Sequence, residues 1–322
     1  MVIWSVGLRL RLAPLARGLP RAGIALAELG SVAVEAEAAG FDALYLAGSD
    51  QNIVLGTPDG AETVLPDPFV ALGAVVPLTS RLALGCLATP LGERPPSLLA
   101  KVVASLDVCS AGRAVAALGP APRGPGTAAP QGADAARAKP GRARTGGAER
   151  ESDAIGRLGE ALEVCRAMLR LPAPSMDGAY YRIDRAWNEP KADRPEPTPV
   201  GLLIPRGDDG PSDAQDGEVA ALLGLAARFA DVCFLGPGPA LLDDLGSITE
   251  AFRAACRQAG RLPGSVALVS LLAAGDHVDV ATLGALGARC RADGADGIVL
   301  DWRGGVPSGA TLDGLASALR AT

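Results

Sequence analysis

Few side chains in this sequence can move a proton near neutrality. There is one histidine, His277, preceded by Gly275 and Asp276, and imidazole is the one side chain whose ordinary pKa lies close to 7. It follows an apolar run, where Gly-Asp-His also reads as a turn and helix cap. A lone imidazole excludes a metal site built on two or more histidines, and it leaves a Ser-His-Asp hydrolase with no margin. Asp50, next to Ser49, would act as an acid near pH 7 only with a strongly raised pKa. The six cysteines, Cys86, Cys109, Cys165, Cys233, Cys256 and Cys290, form no C-x-x-C and lie in apolar stretches. They read as reduced core thiols.

Two segments have the composition of an anion site. Arg206-Gly207 offers a cation and a pliable backbone, and Gly236-Pro237-Gly238 opens onto a helical stretch whose first N–H groups would face a phosphate. Asp208, Asp209, Asp213 and Asp216 crowd the first with negative charge, so a ligand-free solvated loop competes with the phosphate reading at both places.

The chain has 322 residues, 48% hydrophobic and 20% charged, enough to build a large core. Its 30 basic and 36 acidic residues give a net charge of −6, which repels a polyanion and argues against nucleic acid. Lysine occurs only at Lys101, Lys139 and Lys191 amid abundant Ala, Gly, Pro and Arg. That is a GC-rich, actinobacterial type of composition, and the arginine count carries little functional weight. No apolar run approaches the roughly 18 residues of a membrane span. Arg9 and Arg11 interrupt the first apolar stretch, and no leader cleavage pattern follows. The expectation is a cytoplasmic protein with no membrane partner.

Strand-length apolar runs alternate with amphipathic stretches, the mark of parallel strands joined by helices. The runs fall at 2–8, 43–47, 82–88, 114–118, 200–204, 232–235, 266–273 and 297–300, and the helical patterns at 27–39, 68–76, 96–108, 152–171, 218–229, 240–259, 280–292 and 312–319. Eight strands, each followed by a helix, predict an α/β fold of the (β/α)8 TIM-barrel type, one domain over 1–322. An open doubly wound sheet is the alternative, without a G-x-G-x-x-G after the first strand to support it. Pro68 and Pro96 suit first helical turns, and Gly40, Gly112, Gly260 and Gly294 suit left-handed helix ends. Two insertions break the pattern. After strand 4, residues 120–150 hold five Pro, six Gly and nine Ala with no apolar period, which predicts a disordered loop. Before strand 5, residues 171–199 include a short aromatic hairpin at 176–183.

The segments 35–45 (EAEAAGFDALY), 67–72 (DPFVAL), 79–91 (TSRLALGCLATPL), 98–113 (LLAKVVASLDVCSAGR), 177–181 (DGAYY), 226–231 (AARFAD) and 259–261 (AGR) occur in the order found in the luciferase-like monooxygenase superfamily. The chain resembles that superfamily over most of its length, and its coenzyme F-420 branch in particular, through 84–90 and Ala100-Lys101. The resemblance implies a barrel enzyme that binds F-420 or FMN and moves a hydride or activates oxygen. It implies a third strand that bulges behind the isoalloxazine ring at Leu87 and Ala88, with Cys86 beside them and Thr89 offering a hydroxyl. It also implies a cofactor contact at Gly119, a pocket reached by Trp4, and a homodimer, while Arg206 and Gly207 are candidate cofactor contacts through the anion-site composition of their loop. Some positions depart from the family pattern. Gly48 and Ser49 stand where relatives carry an acidic residue and then histidine, and Pro95 stands at a second histidine position. Ala117-Leu118-Gly119-Pro120-Ala121 keeps one glycine of a G-x-G-x-G, and each lost glycine puts a Cβ where backbone would approach the cofactor.

Two functions follow. One is an F-420- or FMN-dependent oxidoreductase or monooxygenase acting on a small organic substrate, with Ser49, Asp50 or His277 as the candidate catalytic groups. The other is a noncatalytic barrel, without cofactor, retained as a binding or partner subunit. The composition of 120–150, with four unmatched positive charges, generates a test of the organisation. Brief trypsin treatment should cut first at its arginines and leave two fragments that stay associated. First cleavage elsewhere would contradict the loop assignment.

Overall fold

The computed structural model describes residues 5–11, 24–47, 67–90, 94–120, 151–205, 213–236 and 241–321, with the side chains of 88–90, 151–152, 213–216 and 241–243 excepted. The expected loop at 120–150 therefore lies, except for Pro120, outside the described residues.

Eight parallel strands close into a barrel: β1 (Ser5–Leu10), β2 (Ala43–Ala47), β3 (Ala83–Pro90), β4 (Ala114–Gly119), β5 (Val200–Ile204), β6 (Val232–Leu235), β7 (Ala267–Ala274) and β8 (Gly297–Trp302). They are hydrogen-bonded around the ring in sequence order, with β8 returning to β1. Helices follow them: α1 (Leu26–Ala39), α2 (Pro68–Val75), α3 (Pro96–Cys109), α4 (Glu151–Arg170), α5 (Asp213–Phe229), α6 (Leu241–Gln258), α7 (Val280–Ala292) and α8 (Gly309–Arg320). The four glycines expected at helix ends all have positive φ, and the Asp67 side chain caps α2 by accepting from the Phe69 and Val70 N–H groups. Within the insertion before β5, Met176–Asp177 pairs antiparallel with Arg182–Ile183. Glu160 of α4 holds the turn of this hairpin, accepting from the N–H groups of Ala179, Tyr180 and Tyr181.

The N-terminal ends of the strands share one device. An aspartate stands immediately before β2, β6 and β8, and each forms a two-bond ring with the preceding strand. Asp42 donates its N–H to the Val6 carbonyl at 2.8 Å and accepts the Val6 N–H on Oδ2 at 2.8 Å. Asp231 does the same with Val200 (2.6 and 2.9 Å), and Asp296 with Leu268 (2.7 and 2.9 Å). The carboxylate thus satisfies a backbone N–H at the start of each strand, the first of β5 and the second of β1 and β7. A fourth carboxylate, Asp107 of α3, accepts from Ala114 N–H at 2.9 Å and from the Thr198 hydroxyl at 2.7 Å, tying β4 to the chain entering β5.

Two expectations need correction. The first strand runs on to Leu10, past Leu8 where the sequence pattern ends it, because Arg9 is buried in the barrel against an acidic partner. Cys109 is exposed at the end of α3, while the other five cysteines are buried free thiols.

Glu37 of α1 supports the entry to β3. Burial alone would raise its carboxyl pKa, but the N–H groups of Arg81, Leu82 and Ser80, with the Ser80 hydroxyl, bring it down to about 2 from an ordinary 4.5. A depressed carboxylate pKa contributes stability that is complete above the unfolded value and is lost as pH falls through the folded one. Glu37→Gln should therefore be less stable than the natural protein at pH 7 in urea unfolding, and the difference should shrink between pH 4.5 and pH 2. A difference constant over that range would contradict the assignment.

Candidate functional site

The inward-facing residues of the barrel form a small separate core: Ala43, Tyr45, Leu87, Val115, Ala117, Leu203, Phe234, Val269, Leu271 and Val299. Two aromatic rings fill most of it, Tyr45 and Phe234, edge to face with centroids 5.5 Å apart. They fit because neighbouring strands carry no side chain beside them. A Cβ on Gly85 would lie 3.1 Å from the Tyr45 ring, one on Gly7 3.2 Å from it, and one on Gly201 2.7 Å from the Phe234 ring. Burial, with a contribution from Asp42, pushes the Tyr45 phenol pKa up. The phenol keeps its proton and acts as filling.

Above this layer, at the C-terminal ends of the strands, where barrel sites sit, β3 is irregular. Its register with β4 runs Cys86 to Ala116 and then Thr89 to Leu118. Three steps on β3 match two on β4, so one extra residue is accommodated at Leu87–Ala88. This is a β-bulge, which leaves backbone groups outside the ladder and re-aims the strand end. Leu87 is fully buried in the inner core, facing Ala47 of β2 in register. Thr89 and Pro90 fall opposite Leu118 and Gly119. Ahead of α3, Arg94 stacks 5.3 Å from the centre of the Phe69 ring and ion-pairs with Asp67, clamping the starts of α2 and α3 together.

Across the barrel, β8 and β1 carry charge inward. Asp301, completely buried, accepts from Arg9 at 3.2 Å and from Arg303 at 3.0 Å, with Arg11 3.8 Å away. Arg9 is 6% exposed, whereas Arg11 and Arg303 are 38% and 44% exposed. The loops after β7 and β8 are stitched around Arg303. Its N–H donates to the Ala274 carbonyl, the Trp302 indole donates to the Gly305 carbonyl at 2.7 Å, and Asp276 accepts from the Gly305 N–H at 3.1 Å. Beside Asp301 in register, Ala273 is exposed although it faces inward, so the mouth is open over β7.

Cys86, Leu87, Ala88, Thr89 and Gly119 thus meet along the β3–β4 edge of the mouth. Cys86 belongs to the outer core beneath the helices, so its side chain faces away from the lumen. His277 lies at the C-terminal side, exposed, in the turn closed by Val278 N–H on the Gly275 carbonyl. The cap of α7 is Asp279, which accepts from Thr282 N–H, while Asp276 is engaged with Gly305. Trp4, Ser49, Asp50, Arg206 and Gly207 lie outside the described residues. The Arg9–Asp301 pair escaped sequence reasoning, although i, i+2 spacing from Gly7 and Val299 placed both on the lumen side. Among the described residues no group of three or more His, Cys, Asp or Glu is placed to hold a metal, and no helix is long and apolar enough to cross a membrane.

Residues 12–274 match the family model described as luciferase-like monooxygenase. The chain belongs to this family. Among solved structures, it is similar to an F-420-dependent secondary alcohol dehydrogenase in complex with an F-420–acetone adduct, with a TM-score of 0.67, 15% identity and 99% of each chain covered. It is similar also to the coenzyme F-420-dependent tetrahydromethanopterin reductase from Methanopyrus kandleri, with a TM-score of 0.66, 15% identity and 99% of each chain covered. A third is riboflavin lyase with modified FMN and substrate riboflavin, with a TM-score of 0.67, 15% identity, and 99% of this chain and 91% of that chain covered. These likenesses establish the luciferase-like barrel fold. No curated protein matches the chain.

In this luciferase-like barrel the buried Asp301 generates a stability test. Asp301→Ala leaves the Arg9 guanidinium buried without its carboxylate and should cost about 3–5 kcal/mol in urea unfolding. Arg303→Gln, at a half-exposed position, should cost less than about 1 kcal/mol. Equal and small effects would contradict the role given to the pair.

Proposed function

We propose that this chain is a luciferase-like oxidoreductase that binds coenzyme F-420, or in second place FMN, over β3 at the barrel mouth, and acts on a small organic molecule. The observation that carries this reading is the bulge at Leu87–Ala88. A flat ring needs a wall without protruding side chains, and an irregular strand supplies backbone groups with unused hydrogen-bonding capacity. Leu87 gives that wall an apolar base, Tyr45 and Phe234 keep water from beneath it, and the Arg94–Asp67 clamp fixes the rim. The residues present therefore fit the ring. When bound, the cofactor supplies hydride transfer and, in the case of FMN, oxygen activation.

The chain's own part is to bind and orient. Tyr45 holds its proton, and His277 sits exposed in a turn. With Gly48-Ser49 in place of an acid and a histidine, proton transfer beside the ring lacks its usual imidazole. This absence favours, as second reading, a noncatalytic luciferase-like barrel that binds without turning over.

Titrating the purified protein with F-420 and with FMN, followed by absorbance, separates the readings. A saturable change with F-420 and slow turnover are expected. Ser49→His should fold normally and raise the rate, by up to about 10²–10⁴-fold where acid–base catalysis limits it. Binding with no turnover in either protein supports the second reading. No spectral change with either cofactor overturns the proposal.

A further inference from the structure

The ring order of the strands puts β7 four strands from β3 in either direction, so the two face each other across the mouth. A cofactor lying against the β3 bulge turns its open side toward β7, β8 and β1. That side has room, because the inward Ala273 is small and exposed, and it has cations. Arg303 donates its Nε–H to the buried Asp301 carboxylate at 3.0 Å, Arg11 lies 3.8 Å from the same carboxylate oxygen, and both keep more than a third of the side chain exposed. Asp301 is enclosed by the protein, so it anchors the two arginines without itself offering a carboxylate to solvent. Asp276, the other acid of this rim among the described residues, accepts from the Gly305 N–H through both its oxygens. What the described residues of the recess present to a ligand is therefore guanidinium N–H groups, with a fixed counter-charge beneath them. A guanidinium so oriented binds an oxyanion through paired hydrogen bonds, and pre-orientation lowers the entropy lost on binding.

From this arrangement we infer that the substrate side of the mouth is an oxyanion site and that the substrate is an organic anion, a carboxylate in the first place, held by Arg11 and Arg303 over Ala273. Asp301 and Arg9 are positioning residues, and the reacting carbon lies between the anionic group and the ring over β3. The inference rests on the cofactor reading for the word substrate, and on the arginine geometry alone for the anion site.

Benzoate, with its neutral isostere benzamide, is the probe, titrated calorimetrically into the protein with and without saturating F-420. Benzoate should bind and benzamide at least tenfold more weakly. Arg11→Gln and Arg303→Gln should each weaken benzoate about tenfold, with each variant still unfolding in one cooperative transition at a midpoint close to that of the natural protein, and Arg303→Lys should recover part of the loss. Benzoate and F-420 should bind together. If benzoate competes with F-420, the cations serve an anionic arm of the cofactor, and the substrate assignment is overturned. Equal affinity for benzoate and benzamide, or no effect of either arginine substitution, overturns the site itself. Loss of F-420 binding with benzoate binding intact would fail the cofactor reading and leave the anion site standing, so the two failures are distinguishable.

Discussion

A closed ring of eight strands encloses a fixed width, and whatever fills it decides what can be presented at the top. Here the filling is uneven. Two aromatic rings occupy the middle because Gly7, Gly85 and Gly201 give up their side-chain space. Above them the lumen ends in a buried ion pair on one side and a bulged apolar strand on the other. The two halves of the mouth thereby differ in chemistry, apolar with loosened backbone over β3, charged over β8 and β1. That asymmetry comes from the inward positions of the strands, while the helices outside cover the outer core.

The fold was legible because parallel strands buried on both faces are short, apolar and separated by helix-length periods. The segments 43–47, 200–204 and 232–235 coincide with strands to the residue. The first strand was harder. Arg9 reads as polar punctuation, and its partner Asp301 lies at the other end of the chain, so no local window can neutralise it. The bulge was anticipated only through family resemblance, since Leu87 and Ala88 differ in nothing from ordinary strand residues. The aspartate rings went unread, although Phe41-Asp42-Ala43, Ala230-Asp231-Val232 and Ala295-Asp296-Gly297 repeat one arrangement. A single carboxylate before a strand is common, and only the placement of Val6, Val200 and Leu268 beside these three shows what they do.

The barrel is secured at one end and differentiated at the other. At the N-terminal end, carboxylates bind strand N–H groups in the three rings and at Asp107, and Arg166, Arg170 and Arg261 gather around Asp231. None of these groups approaches the mouth. At the C-terminal end the bonds run between loops, from Trp302 and Asp276 to Gly305 and from Arg94 to Asp67. Loop chemistry there can vary without loosening the ring of strands beneath it.

The thiols record the same division between interior and surface. Cys165 is pushed up to about 12 and Cys290 to about 11 by burial, which also raises Cys233 and Cys256. A thiolate is the reacting form, so these sulfurs are silent toward alkylating reagents while the barrel is closed. Cys109, on the outside of α3, is open to solvent. The protein thus carries its own gauge of integrity. One sulfur reports that the chain is present, and the others become countable only when the strands come apart.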